Sequence, residues 1–353
     1  MLRDLTIKNY RAFKDFSIDG LARVNLIVGK NNAGKTSFLE AVYLLVNQYN
    51  PSVLFELLDG RGEFAYLPDA PGRTDYQTAH IFHNFQLSIA QLRPNEAITI
   101  SSQHEETQSL KIKADSRKST FGSAQPGLQL NVSYNAPIEE AGQALNISDN
   151  YFFSSDGRFT AVRRAPSKYH FVGTSLSEFD YLASLWDRLS QNPEEEAFVV
   201  SALQLLEPRV EDIRFASQQT AGRVLLKLAH RQDRFPISSM GEGLRRMLTL
   251  AIHAAVSENG ALLIDEIDTG LYHGVQADVW RFLIETAQRL NVQIFATTHS
   301  WDCVAAFQEA LEDSSESSEG RLFRLQERGG VIYAVDYSAD DLSVAVHHAI
   351  EVR

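Results

Sequence analysis

The chain has 353 residues, of which 44% are hydrophobic and 22% are charged, proportions that are ordinary for a soluble globular protein. Its formal net charge of -12 argues against a protein that coats nucleic acid indiscriminately, because such proteins carry a basic excess. The single cysteine, Cys303, excludes an intramolecular disulfide framework and fits a reducing cytoplasm. Charges interrupt the N-terminal stretch, and no apolar run approaches the ~20 residues of a membrane span. We therefore expect a cytoplasmic protein with no membrane partner.

The first predicted elements are two short strands, at Leu5–Ile7 and Phe16–Ile18. A near-continuous apolar run over 24–28, VNLIV, predicts a buried strand. A turn rich in glycine and asparagine follows at once, and the stretch SFLEAVYLLVNQY from Ser37 then places apolar residues at helical spacing. The order strand, glycine loop, helix is typical of a phosphate-binding site at a helix N-terminus.

The glycine loop reads GKNNAGKT, a full match to the motif G-x-x-x-x-G-K-[ST]. Gly29 and Gly34 allow the backbone to turn successive N–H groups toward phosphate oxygens. Lys35 is expected between the β- and γ-phosphates, and the hydroxyl of Thr36 is expected on Mg²⁺. The motif thus predicts ATP and magnesium as cofactors. The predicted nucleotide contacts in this loop are Gly29, Asn31, Asn32, Gly34, Lys35, Thr36 and Ser37.

From residue 51 to about 223 the pattern changes to short alternating segments followed by two helices. The helical stretch 176–206 is broken near Asn192-Pro193. We predict an inserted α+β unit at 51–223, serving as a lid or partner-binding region, between core segments 1–50 and 224–353. The alternating segments that predict strands are Phe85–Ile89, Ala97–Ser101, Leu110–Lys113 and Leu128–Ser133.

The last third returns to alternating strands and helices. Ala261–Ile264 and Val292–Ala296 are apolar enough for buried strands, and Val275–Leu290 between them is an amphipathic helix. This alternation predicts an α/β fold with a mostly parallel sheet. The polar run 312–320, EDSSESSEG, predicts a solvated loop.

Two acidic residues follow the strand that ends at Ile264. The strand places Asp265 at the carboxyl end of the predicted sheet, where its carboxylate can hold Mg²⁺ directly or through a water. Glu266 projects differently and can polarise an attacking water, the role of a general base. With Lys35 and Thr36 elsewhere in the chain, this pair predicts a complete site for ATP hydrolysis.

Two further segments, SSMGEGLRR before a predicted helix and ATTHS after a buried strand, resemble motifs of the ABC ATPase superfamily. Within it, the resemblance is to the group of RecF, the SMC proteins and the OLD-family ATPases, and it implies a P-loop ABC-type nucleotide-binding fold. It further implies that His299 contacts the γ-phosphate and arranges the attacking water. The opening IKNYRAFKDF is similar to that of RecF- and SMC-like proteins, and this similarity implies that Arg11 lies near the nucleotide.

The same resemblance implies a homodimer, or a higher even-numbered oligomer, assembled head to tail. Ser239, Gly241 and Glu242 lie where these families have the signature segment, which grips the γ-phosphate bound to the other subunit. Stand-alone OLD- and RecF-like ATPases often act with a separately encoded effector, in many cases a nuclease of anti-phage defence. We therefore expect an ATP-driven switch that controls such an effector.

Some features depart from the relatives. Tyr272 stands where transporters and SMC heads usually have an aspartate, and Gln77, Gln86 and Gln91 are equal candidates for the glutamine loop. Other functions thus stay open: a scaffold that binds ATP with little hydrolysis, the energising subunit of a transporter, and a RecF-like DNA-repair ATPase. A nucleic-acid groove also stays open, because basic residues cluster at Lys111, Lys113, Arg117 and Lys118, and at Arg158, Arg163, Arg164 and Lys168.

Overall fold

The computed structural model of the chain describes residues 1–47, 52–66, 74–76, 83, 97–103, 108–117, 127–135, 147–152, 167–174, 179–216, 223–314 and 317–353. In these ranges no helix combines the length and the apolar character that crossing a bilayer requires. The strand predicted at Phe85–Ile89 lies outside the described residues.

The strands are, in chain order, β1 (Asp4–Tyr10), β2 (Phe13–Asp19), β3 (Val24–Gly29), β4 (Phe64–Tyr66), β5 (Thr74–Tyr76), β6 (Ile98–Ser102), β7 (Gln108–Arg117), β8 (Gly127–Asn135), β9 (Ile147–Phe152), β10 (Tyr169–Val172), β11 (Val210–Ala216), β12 (Arg223–Leu228), β13 (Arg234–Pro236), β14 (Ala261–Ile264), β15 (Gln293–Thr297), β16 (Gly320–Arg328) and β17 (Val331–Tyr337). The helices are α1 (Lys35–Val46), α2 (Ser52–Gly60), α3 (Phe179–Leu189), α4 (Pro193–Gln204), α5 (Glu242–Val256), α6 (Gln276–Arg289), α7 (Trp301–Asp313) and α8 (Ala339–His347).

Six strands form the central sheet, in the order β10-β14-β15-β3-β16-β17. All neighbours are parallel except β16 and β17, which are antiparallel. Every residue of β3, β14 and β15 is buried, as expected for parallel strands covered on both faces. The predicted α/β fold with a mostly parallel sheet is confirmed.

Alternate residues of β3 enter two different cores. Leu26 and Val28 pack in a cluster with residues of α3 to α8, whereas Ile27 packs with residues of β1, β2 and α1. A second, antiparallel sheet in the order β2-β1-β6-β7-β8-β9 supplies much of the Ile27 cluster. The central sheet is thus a middle layer between a helical layer and this second sheet with α1.

Within the described ranges, the predicted inserted unit, 51–223, contributes strands to each of the two six-stranded sheets. Its strand β6 pairs with β1, and its strand β10 pairs in parallel with β14. The division into core segments 1–50 and 224–353 and an inserted unit stays a prediction.

The helix break predicted near Asn192-Pro193 has a local cause. The side chain of Asn192 accepts a 3.1 Å hydrogen bond from the N–H of Glu194, and Pro193 occupies the first turn of α4, where its missing N–H costs nothing. The polar run 312–320, by contrast, begins inside a helix, because α7 continues to Asp313.

Candidate functional site

The glycine loop joins the end of β3 to the first turn of α1. Gly29 has φ +149° and Gly34 has φ +91°, conformations that residues with a side chain rarely adopt. A Cβ atom on Gly29 would lie 2.6 Å from the carbonyl oxygen of Leu325, and one on Gly34 would lie 3.0 Å from Cζ of Phe13. The loop therefore requires glycine at both motif positions.

Lys35 opens α1 and folds its side chain back over the loop. Its Nζ donates hydrogen bonds to the carbonyl oxygens of Gly29 (2.8 Å) and Lys30 (3.1 Å). Burial lowers the pKa of Lys35 to about 8, against the opposing influence of Asp265 and Glu266. The ammonium group thus lies among backbone carbonyls, beside the N-terminus of a helix that favours anions.

Asp265 follows β14 and joins two other elements. Its Oδ2 accepts a 2.9 Å hydrogen bond from the hydroxyl of Thr36, and its Oδ1 accepts a 2.6 Å bond from the hydroxyl of Thr297. A hydroxyl and a carboxylate are hard oxygen donors, so the pair Thr36 and Asp265 fits Mg²⁺. No group of three or more metal-ligating side chains occurs among the described residues. An ion here would therefore complete its shell with water and phosphate oxygens, as Mg²⁺ commonly does.

Glu266 has φ +46°, a left-handed conformation that is uncommon for a residue with a side chain. Its N–H donates a 2.8 Å hydrogen bond to the hydroxyl of Thr297. Its half-exposed carboxylate has Oε1 4.0 Å from Nε2 of His299. Strained backbone of this kind is concentrated at functional sites, which suits the predicted role of Glu266.

His299 lies between Lys35 and Glu266. Its Nδ1 is 3.3 Å from Nζ of Lys35. Because an ammonium group can only donate, Nδ1 accepts, and the proton of the neutral ring is on Nε2, on the side of Glu266. Burial lowers the pKa of His299, and the positive charge of Lys35 lowers it further. The carboxylates of Glu266, Asp268 and Asp265 oppose this lowering of the pKa, and Nε2 of His299 lies on the side of the Glu266 carboxylate.

These residues line one cavity of about 750 Å³ at the carboxyl ends of the central strands. Ligand sites of open α/β sheets lie at this edge. Ten residues predicted from the sequence line the cavity: Arg11, Asn31, Asn32, Gly34, Lys35, Thr36, Ser37, Asp265, Glu266 and His299. Gly29 is next to the cavity, because its carbonyl oxygen accepts a hydrogen bond from Nζ of Lys35, which lines the cavity.

Arg11 is part of a buried ion-pair network that the sequence does not predict. Its guanidinium lies 2.7 Å from Oε2 of Glu40 on α1 and 2.7 Å from Oε1 of Glu63. Glu40 also pairs with Arg61, and it accepts a hydrogen bond from the hydroxyl of Tyr10. Arg61 and Glu63 line the cavity as well. Only the unusual position of Glu40 on the apolar face of a helix could have signalled the network.

The signature segment, residues 239–242, does not line this cavity. Ser239 lies just before α5 and donates a 2.7 Å hydrogen bond to the carbonyl oxygen of Pro236. Gly241 has φ +97°, and the space around its missing Cβ is open. Glu242 begins α5 and contacts Arg245. The predicted signature segment thus lies at the start of α5, apart from the cavity of its own chain.

Several predicted residues are outside the described part of the chain. These are the glutamine-loop candidates Gln77, Gln86 and Gln91, and the basic residues Lys118, Arg158, Arg163 and Arg164. The nucleic-acid groove suggested by the two basic clusters therefore remains a prediction.

The fold and the cavity define the class of protein, which is a P-loop ATPase domain. A family model described as "AAA domain, putative AbiEii toxin, Type IV TA system" matches residues 24–302. The chain belongs to this family.

Known proteins resemble the chain to different extents. The "ATP/GTP phosphatase" of Helicobacter pylori is 22% identical over 364 residues, which cover 97% of each chain. The DNA double-strand break repair Rad50 ATPase of Archaeoglobus fulgidus is 41% identical over 54 residues, which cover 15% of this chain and 6% of that protein. The crystal structure of the SmcHead bound to the C-winged helix domain of ScpA covers 96% of this chain and 97% of that one, with a TM-score of 0.51 and 15% identity. This last likeness shows the fold alone.

Proposed function

We propose that the chain hydrolyses ATP in a magnesium-dependent reaction at this cavity. One observation carries the proposal: Lys35, Thr36, Asp265, Glu266 and His299, which come from three separate parts of the sequence, line a single cavity beside a helix N-terminus. The proposal is supported by the family and by the full-length similarity to an ATP/GTP phosphatase.

Each side chain has a role that its geometry suits. The loop N–H groups and Lys35 bind the phosphates, as in other P-loop proteins. Glu266 accepts a proton from the attacking water, and the neutral His299 donates its Nε2 proton in a hydrogen bond toward the γ-phosphate or that water. Thr36 and Asp265 would hold Mg²⁺, which when bound neutralises charge that develops on the phosphate oxygens.

The position of the signature segment favours a dimer. Ser239, Gly241 and Glu242 do not line the cavity of their own chain. In the ABC superfamily, which the chain resembles, this segment closes over the nucleotide of a second copy. We therefore extend the proposal to a head-to-tail homodimer, or a higher even-numbered oligomer, that closes on ATP.

The closed dimer is proposed to act as a cytoplasmic switch for a separately encoded effector, such as a nuclease of anti-phage defence. The support is the sequence resemblance to stand-alone OLD- and RecF-like ATPases, together with a family description that names a toxin–antitoxin system. DNA binding of RecF type is a second candidate, favoured by the local similarity to a DNA-repair ATPase.

The test measures solution mass by light scattering, with and without ATP and Mg²⁺, and phosphate release in the same samples. Wild type is compared with Glu266→Gln and with Glu285→Gln, a matched change at an exposed position on α6. We expect wild type and Glu285→Gln to release phosphate. We expect Glu266→Gln to release it about 100-fold or more slowly and to double its mass on ATP.

Two results would contradict the proposal. Phosphate release by Glu266→Gln at the wild-type rate would remove the assigned general base. A constant mass with little ATP consumed by wild type would instead favour a nucleotide-bound scaffold.

A further inference from the structure

Arg246 is a buried arginine on α5, one helical turn after Glu242. Its guanidinium donates hydrogen bonds to the carbonyl oxygens of Gly173 (2.6 Å), Asp265 (2.9 Å) and Glu266 (3.3 Å). Gly173 follows β10, and the other two residues follow β14. One side chain therefore joins α5 to the backbone of both acidic residues of the cavity.

A buried guanidinium is usually held by a carboxylate, because that contact offsets the cost of removing the charge from water. The hydrogen bonds of Arg246 within the described ranges go to carbonyl groups, and its Nε has no partner there. Burial lowers the pKa of Arg246, although Asp265, Asp268 and Glu266 act in the opposite direction. Burial of the Arg246 guanidinium is therefore energetically costly. The contacts that it makes in return are hydrogen bonds that hold three carbonyl groups in place.

Glu266 is held on both sides of its Cα atom. Its N–H donates to the hydroxyl of Thr297, and its carbonyl oxygen accepts from Arg246. These two bonds fix the peptide units that flank its left-handed backbone, and so they fix the direction in which the carboxylate projects. The carbonyl oxygen of Glu266 also accepts a 3.0 Å hydrogen bond from the N–H of Thr269, so Arg246 is its second donor. Arg246 also holds the carbonyl oxygen of Asp265, and its loss would therefore remove bonds to both peptide groups that flank Glu266 and leave the left-handed backbone less constrained.

The loop after Glu266 also packs against the start of α5. A Cβ atom on Gly270 would lie 3.2 Å from Cγ of Glu242 and 3.9 Å from Cβ of Arg246. A Cβ atom on Gly243 would lie 3.0 Å from the carbonyl oxygen of Gly270. With so little space between them, a shift of the first turn of α5 must move the loop as well.

We infer that Arg246 is a positioning residue that holds Glu266 in its working orientation and links that orientation to the start of α5. The inference rests on the proposed function, because it concerns the proposed general base. The same link would couple the two copies of a dimer. A nucleotide bound to one copy would contact residues 239–242 of the other copy. Through α5 and Arg246, that contact would influence the orientation of Glu266 in the copy that carries residues 239–242.

The test separates positioning from a merely structural role. Arg246→Lys keeps the charge but loses the forked donor, and Arg246→Gln keeps a neutral donor. The control is Arg188→Lys, an exposed arginine on α3. Phosphate release, the ATP dissociation constant by calorimetry and the melting temperature are measured for each variant. We expect the turnover number of both Arg246 variants to fall about 10- to 100-fold, with the dissociation constant changed less than about threefold.

The deciding measurement is the double variant Arg246→Lys with Glu266→Gln. If Arg246 acts through Glu266, the double variant releases phosphate no more slowly than Glu266→Gln alone, because the side chain that Arg246 positions has already been removed. Losses that multiply would overturn the inference, as would wild-type turnover in both Arg246 single variants. If wild type itself releases no phosphate, the proposed function fails and this inference fails with it, a result distinct from an active wild type with unaffected variants.

Discussion

The hydroxyl of Thr36 donates a 2.9 Å hydrogen bond to Oδ2 of Asp265, joining the first turn of α1 to the loop after β14 across 229 positions of sequence. If these oxygens hold Mg²⁺, Thr36→Val should raise the Mg²⁺ concentration for half-maximal phosphate release about 10- to 100-fold. A magnesium titration at fixed ATP measures this. The control is Thr286→Val, whose hydroxyl donates to a carbonyl group inside α6. Equal titration curves for the two variants would argue against Thr36 as a ligand.

The affinity for ATP should depend on pH through Lys35. The pKa of Lys35 in the free protein is lowered to about 8, chiefly by burial. Phosphate favours the charged form, so binding takes up a proton when the pH is above about 8 and does not when the pH is below about 7. The dissociation constant should therefore be flat at low pH and rise up to about tenfold per pH unit above 8.

Calorimetry across this pH range measures the dissociation constant for ATP. Repeating it in buffers of different ionisation enthalpy gives the number of protons taken up on binding. Lys35→Arg, which stays charged throughout, serves as the control and should lack the rise. A wild-type constant that stays flat up to about pH 9.5 would show that the Lys35 proton is not linked to binding.

The ion-pair network of Arg11 should contribute strongly to stability. Arg11→Met leaves the buried carboxylate of Glu40 with Arg61 as its remaining cation. We expect the free energy of unfolding to fall by about 3 kcal/mol, since a buried charge then lacks part of its compensation. Urea denaturation followed by circular dichroism measures the loss.

Adding Glu40→Gln to Arg11→Met should recover part of that stability, because the uncompensated charge is gone. A double variant whose loss equals the sum of the two single losses would mean that Arg11 and Glu40 do not interact energetically.

Cys303 should be unreactive in the folded protein. The thiol is 1% exposed, and burial raises its pKa to about 12. At pH 8 the thiolate fraction is then on the order of one in ten thousand, and the thiolate is the reactive form. Iodoacetamide followed by mass spectrometry should label the protein in concentrated guanidinium chloride and leave the native protein unmodified. Rapid labelling of native protein would place the thiol on an accessible surface.

The sequence predicts those parts of the site that depend on neighbouring residues in the chain, such as the glycine loop and the buried strand before Asp265. Gly29 and Gly34 are required by backbone angles, so they appear as a motif, and the buried strand Ala261–Ile264 appears as an apolar run because both of its faces are covered. The roles assigned to Lys35, Thr36 and Glu266 remain predictions that the variants above test.

The remaining parts depend on contacts between distant segments. β10 is four residues long and lies in a region predicted as an insertion, yet it forms the edge of the central sheet beside β14. The pairing of Arg11 with Glu40 and Glu63 joins two elements and leaves no periodic trace. Arg246 is one of two adjacent arginines in sequence, and its burial distinguishes it from Arg245 only in the folded chain.

The place of β3 in the central sheet affects how the protein is made. Its two neighbours, β15 and β16, come from residues 293–297 and 320–328, so the strand that carries the P-loop is synthesised long before either of its partners. During translation the apolar run VNLIV therefore stays unpaired until β15 and β16 have been synthesised. Pairing between strands so far apart in sequence is slow. Unpaired strands of this composition are prone to aggregate, so efficient production of this protein should depend on chaperones that shield nascent chains.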